Sequence, residues 1–247
     1  GYSATYHYTI MKNNPKDPYF KHFVEDIEQR YHIRVLLVDD YKEIQIILNE
    51  LNSRIRSKRV FVSGAFSSFT SEIEEYSHNL SRNLASSLLE NDYRIVNGIG
   101  RRFGTHLIGY ANEYLAKQGV KDIEKHLIVK PFVGNTQAAA EEKYRSRKKV
   151  IGQCGTAIFV FGEMSENSSA TKSGVMEEFE IACEQHKTII PIAYPGMVSE
   201  IIWEKVKGEL TRYPYLEGRI DLLTSVQSPE FLSQIIIHIL DSVQESM

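Results

Sequence analysis

Cysteine is nearly absent: the 247 residues hold two, Cys154 and Cys183. Two thiols make neither a disulfide framework nor a metal cluster. They suit a reducing cytosol, so a secreted disulfide scaffold is excluded and a cytoplasmic location is expected. Long apolar runs are missing too. Nothing approaches the roughly 18 consecutive apolar residues of a membrane helix, and the start shows no signal-peptide pattern. A charge excess of one sign is also lacking. With a formal net charge of −3, the chain carries no general affinity for polyanions, and neither nucleic acid nor a membrane is expected as a main partner. No internal repeat or low-complexity tract occurs. The chain opens at Gly1 rather than methionine, as a fragment or a trimmed chain would. What remains, 42% hydrophobic and 25% charged residues, is ordinary for a globular protein. The length suits one large domain, or one of about 190 residues with an appendage.

The appendage reads as residues 1–57. After a proline-punctuated polar stretch at 12–18, Phe20, Phe23, Val24 and Ile27 mark one helix face. Residues 33–38 form an apolar strand stopped by Asp39 and Asp40. A second amphipathic helix over 41–55 follows, striped by Ile44, Ile47, Leu48 and Leu51. One strand and two helices are too little to bury a core, so this segment is expected to be the tail of a preceding domain.

A new unit spans residues 58–247. It alternates strands at 60–64, 93–96, 126–129, 156–161 and 188–193 with helical patterns, the last over about 229–243. Repeated βα units imply an α/β fold, a Rossmann-like three-layer sandwich with a mainly parallel sheet and ligands at the carboxyl ends of its strands. Thr70 or Ser71, with Glu74 close behind, is a plausible N-cap for the first helix of this unit.

The most informative stretch runs from Tyr93 to Gly109. A short apolar strand leads into Gly98, Gly100 and Gly104, and then into a helical pattern of Leu107, Ile108, Ala111 and Leu115. Strand, glycine-rich turn and helix in that order bind phosphate, because glycines admit the anion to the backbone and a helix N-terminus offers unpaired N–H groups. Arg101 and Arg102 lie in the turn, where a guanidinium can clamp a phosphate. The alternative is a glycine-rich connection with two solvated arginines. Likewise, the charges of residues 141–149 read mainly as a solvated helix face.

Several motifs, in order, resemble the SLOG superfamily, the Rossmann-like group that includes the LOG-type nucleotide phosphoribohydrolases. These are Val60, Phe61, Val62, Ser63, Gly64 and Ala65; the glycine turn of residues 95–100 with Gly104 and Gly109; Arg147 and Lys148 before a strand; and Gly174, Val175, Met176, Glu177 and Glu178. The likeness covers about three quarters of the chain. In the hydrolases an arginine and a glutamate act together on the ribose-linked bond, and those positions correspond to Arg147 and Glu178. The family's Pro-Gly-Gly element is missing, replaced by a longer loop over 162–174, and Val175 stands where the family has threonine. This favours binding without cleavage.

A nearer resemblance is to the SLOG sensor domains of Thoeris antiphage effectors, where a sirtuin-like NAD hydrolase domain precedes the SLOG domain. Residues 1–57 are similar, weakly, to the end of such a domain, with Gly1, Tyr2 and Ser3 resembling a late turn. The resemblance implies no tightly bound cofactor and a cyclic ADP-ribose isomer, made by a TIR partner, as the signalling ligand. It also implies homo-oligomers, tetramers or larger. The site then falls on Gly64, Ala65, Phe66 and Ser67 after the first strand; Gly100, Arg101, Arg102, Phe103 and Gly104 in the glycine turn; and Arg147, Gly162, Lys172 and Glu178. Pyrophosphate is expected at the helix N-termini after Gly64 and Gly100, and ribose hydroxyls on Glu178. Phe66, Phe103 or Tyr144 could stack on adenine, although core or surface packing is the commoner role of each. Lys172 could close over the phosphates, although a loop lysine is usually just solvated. No catalytic residue and no metal ligand is expected. A LOG-like hydrolase and a structural oligomerisation module are the competing readings, ranked below a sensor.

Overall fold

The structure is a computed structural model, and it describes residues 7–67, 70–132, 137–164 and 173–245. It divides into two compact units, Gly1–Ile55 and Arg56–Met247. The expected turn at residues 1–3 and Lys172 lie outside the described residues.

In the first unit, β1 (His7–Lys12) and β2 (Ile33–Val38) pair in parallel, His7 opposite Ile33 and Lys12 opposite Val38. Helix α1 (Phe20–Tyr31) joins them and α2 (Tyr41–Ser57) follows. Strand β1 was not expected. Its sequence, His7, Tyr8, Thr9, Ile10, Met11 and Lys12, shows no clear alternation, and its pairing with β2 makes it a strand. Among the described residues of this unit, Val38 alone is fully buried.

The second unit holds β3 (Arg59–Ser63), α3 (Ser71–Glu90), β4 (Arg94–Asn97), α4 (Phe103–Lys117) and β5 (Leu127–Val129). After them come α5 (Gln137–Gly152), β6 (Thr156–Val160), α6 (Gly174–Glu184), β7 (Thr188–Ile192), α7 (Val198–Gly208) and α8 (Pro229–Glu245). The five strands form one all-parallel sheet in the order β5-β4-β3-β6-β7. Helix α3 packs on α4 and α8, and α6 packs on α5 and α7, giving the expected Rossmann-like α/β layering. Covering helices explain the continuous burial along β6, where every residue is inaccessible. Pro191 sits in β7, an edge strand, where the missing N–H breaks no ladder.

Helix α3 forms because Leu80, Leu84 and Leu88, all 0% exposed, recur every four residues toward the sheet. Thr70 starts it, its Oγ1 accepting from the Ile73 N–H at 3.3 Å. No helix among the described residues is long and apolar enough to cross a membrane.

The strand order reverses between β3 and β6. A crevice must open there, because the helices after the two strands leave toward opposite faces of the sheet. The site is built at this point.

Candidate functional site

A cleft of about 760 Å³ opens at the carboxyl ends of β3, β4 and β6. That is within the roughly 300–1,000 Å³ typical of small-molecule sites. Its walls come from three loops that hold one another. The Phe66 N–H donates to the Arg101 carbonyl at 3.3 Å, and the Gly162 N–H to the Ala65 carbonyl at 3.0 Å. Buried Asn97 anchors the glycine turn: its Nδ2 donates to the Val62 carbonyl at 2.8 Å and its Oδ1 accepts from the Ile99 N–H at 2.7 Å. Gly100 packs so closely on this assembly that a Cβ there would collide with the Gly64 carbonyl oxygen.

Among the described residues, six that are not glycine have positive φ. His32 follows α1, Asp92 follows α3 and His186 follows α6, where a left-handed residue commonly ends a helix. Ile99, Arg102 and Phe161, at 56°, 56° and 58°, instead lie in the loops after β4 and β6. Backbone strain of this kind persists where the surroundings over-determine it.

At the cleft wall, Arg147 of α5 and Glu178 of α6 are 9% and 8% exposed. Arg147 Nε donates to Glu178 Oε1 at 3.0 Å, and Ser63 Oγ donates to Glu178 Oε2 at 2.5 Å. Glu177 takes the other arm of the guanidinium, which also lies over the Phe132 ring at 5.4 Å. A Cβ at residue 174 would come 2.7 Å from Arg147 Nη2, so a larger residue there would make the guanidinium shift. Burial pushes the Glu178 carboxyl above its ordinary range, outweighing the opposite pull of Arg147 and Ser63.

Free positive charge comes from elsewhere. Arg101 is exposed, Lys143 is half-buried, and both line the cleft. The N-termini of α4 and α6 carry no side-chain cap, and Ser173, Gly174 and Val175 place the α6 terminus in the cleft wall. An anion there meets unpaired N–H groups and two cations.

Of the expected residues, Gly64, Ala65, Phe66, Gly100, Arg101, Arg147, Gly162 and Glu178 line this cleft. Ser67, Arg102, Phe103 and Gly104 do not. Ser67 is held by Glu163, its N–H donating at 2.6 Å and its hydroxyl donating to the second carboxylate oxygen. Arg102 turns to Glu74, 3.3 Å away. Phe103 is 0% exposed and packs beneath the turn against Phe161, and Gly104 abuts Asn97. The first-helix N-terminus after Gly64, expected to meet phosphate, is capped by Thr70, and α6 offers an open one instead. The aromatics differ as well. Phe66 lines the cleft but is 1% exposed, Tyr144 faces a neighbouring groove, and half-buried Phe132 also lines the cleft. Phe132, Lys143, Asn97 and Glu163 were not singled out. Only Asn97, inside the Asn-Gly step of the glycine turn, carried a local signal.

Residues 43–243 match the Sir2- and TIR-associating SLOG family, STALD. The chain belongs to this family. The NAD(+) hydrolase ThsA of Bacillus cereus (strain MSX-D12) is 30% identical over 215 residues, covering 85% of this chain and 44% of that protein. The ThsA of Enterococcus faecium is 30% identical over 191 residues, covering 74% of this chain and 38% of that protein. The STALD chain therefore spans less than half the length of these relatives. The DNA processing protein A of Helicobacter pylori superposes with a TM-score of 0.40 at 14% identity, covering 63% of this chain and 75% of that one. A likeness that slight carries no argument.

Proposed function

We propose that the second unit binds a nucleotide signal, a cyclic ADP-ribose isomer made by a TIR partner, without cleaving it. Binding would activate an NAD hydrolase carried by the full-length protein. The observation that carries this reading is the switch-point cleft, with Arg101, Lys143 and the open α6 N-terminus all in its lining. A pyrophosphate fits that chemistry, and Phe132 offers a ring for the base. The Glu178 carboxylate accepts from Ser63 and Arg147 on its two oxygens, which leaves it placed to order ribose hydroxyls rather than to attack. Activation requires that the ligand bind one assembly state more tightly than another, and a homo-oligomer, a tetramer or larger, supplies such states.

The test is calorimetric titration of the chain with cyclic ADP-ribose isomers, ADP-ribose, NAD and AMP, with the mixtures checked for cleavage products. Binding of one cyclic isomer without turnover is expected. Arg101→Ala and Lys143→Ala should each weaken it about tenfold or more, the loss of one charged hydrogen bond. Free base released from AMP would make the Arg147–Glu178 pair that of a phosphoribohydrolase. Failure to bind any of the four would leave a structural oligomerisation module.

A further inference from the structure

We propose that Glu74, His78 and His106 form a binding site for a divalent transition-metal ion of the zinc type, on the seam between α3 and α4 and outside the nucleotide cleft. Glu74 and His78 are four residues apart on α3, so they share a face, and His106 projects from α4, which packs against it. Their donor atoms all lie within 4.8 Å of one another. Glu74 Oε1 is 3.8 Å from His78 Nε2 and 3.5 Å from His106 Nε2, so both imidazoles turn the same nitrogen to one carboxylate oxygen. Donors about 2.0–2.1 Å from a tetrahedral zinc stand about 3.4 Å apart, close to these separations.

The opposite ring nitrogens are already engaged. His78 Nδ1 lies 3.0 Å from the Tyr110 hydroxyl and His106 Nδ1 lies 3.0 Å from the Ser77 hydroxyl. When the two hydroxyl oxygens accept from Nδ1–H, the tautomer leaves Nε2 bare for a metal, the usual outer arrangement around ligating histidines, and metal binding would select that tautomer. Two imidazoles and a carboxylate suit zinc and its neighbours better than calcium or magnesium, and they leave a fourth position for water. Two features hold the affinity below that of a structural zinc site. The rings stack with centroids 3.8 Å apart and planes 21° apart, so they must turn for both lone pairs to converge. Arg102 already lies 3.3 Å from both Glu74 oxygens, and its charge repels a cation.

The chain, stripped with chelator and dialysed, is titrated with zinc, and bound metal per chain is measured together with the shift in unfolding temperature. Cobalt is used in parallel, because its visible spectrum reports nitrogen ligation and geometry. One equivalent bound and a raised unfolding temperature are expected. His78→Ala, His106→Ala and the gentler Glu74→Gln should each weaken binding at least tenfold, whereas His238→Ala and Cys183→Ala leave it unchanged. Arg102→Ala should tighten binding several-fold, an outcome that lost packing would not produce. Absence of binding up to millimolar zinc, or binding that persists in both histidine variants, overturns the proposal.

Discussion

Strands β2 and β6 read alike in sequence and end in different surroundings. Both are short apolar runs, residues 33–38 and 156–160. Every residue of β6 is buried, whereas β2 buries only Val38 and leaves Leu37 45% exposed. The difference lies in the neighbours. Strand β6 has β3 on one edge and β7 on the other, while among the described residues β2 pairs only with β1. An apolar run specifies a strand, but how much surface it buries depends on how many elements cover its edges and faces. The same contrast separates the helices. In α3 the leucine stripe is 0% exposed, whereas the stripe of α2 leaves Leu48 at 53% and Leu51 at 47%.

The comparison is sharpened most by Phe159→Ala. Phe159 is 0% exposed in β6, an interior strand of the sheet, and meets Phe179 edge-on at 5.6 Å. Truncation should destabilise the second unit by about 3–5 kcal/mol, through lost transfer energy and the cavity left behind. The chain's single tryptophan, Trp203, anchored to the Ile220 carbonyl at 2.8 Å, lies in this unit. Its fluorescence in urea therefore follows the second unit alone. A loss below about 1 kcal/mol would mean that the sheet is less tightly packed than its burial indicates.

A smaller effect is expected at the start of α3. Thr70→Ala removes the oxygen that accepts the Ile73 N–H and should cost about 1 kcal/mol. The same tryptophan transition measures it. Thr70→Ser keeps the oxygen and should restore most of the loss. If serine and alanine were equally damaging, the methyl group rather than the cap would be what stabilises the helix.

Much of the second unit was legible because its signals are local. Apolar runs bounded by glycine mark the strands, four-residue repeats mark the helices, and alternation of the two implies a parallel sheet with its site at the carboxyl ends. That chain of inference reached Gly64 and Gly100, and the family resemblance added Arg147 and Glu178, all at the cleft. It could not separate Arg101 from Arg102. Adjacent in sequence, one is exposed at the cleft and the other, at φ 56°, turns to Glu74 on a neighbouring helix. Phe103 stayed open between ligand and core for a related reason: an aromatic at the first turn of a helix has the same local pattern whether it faces a ligand or the sheet. Lys143 was hidden in a charge run whose other members are mostly solvated, and Phe132 reaches the cleft only through the fold. The partner that makes β1 a strand is likewise some 26 positions away in register, His7 against Ile33, beyond any local pattern.

The smallest effect is expected on the exposed stripe of the first unit. Leu48→Ser replaces an apolar side chain that is 53% exposed. Substitutions at such positions usually change stability by less than about 0.5 kcal/mol. The choice of residue matters, since Leu48 belongs to the same periodic pattern as Ile44 and Ile47, which are half-buried. If the pattern alone governed burial, all three would respond alike. The fold instead predicts that Ile44→Ser lowers hydrogen-exchange protection in α2 while Leu48→Ser does not. Equal losses at both positions would mean that Leu48 is covered in solution by a surface this chain does not itself supply, and the contrast between the two units would then measure a missing neighbour rather than a weaker core.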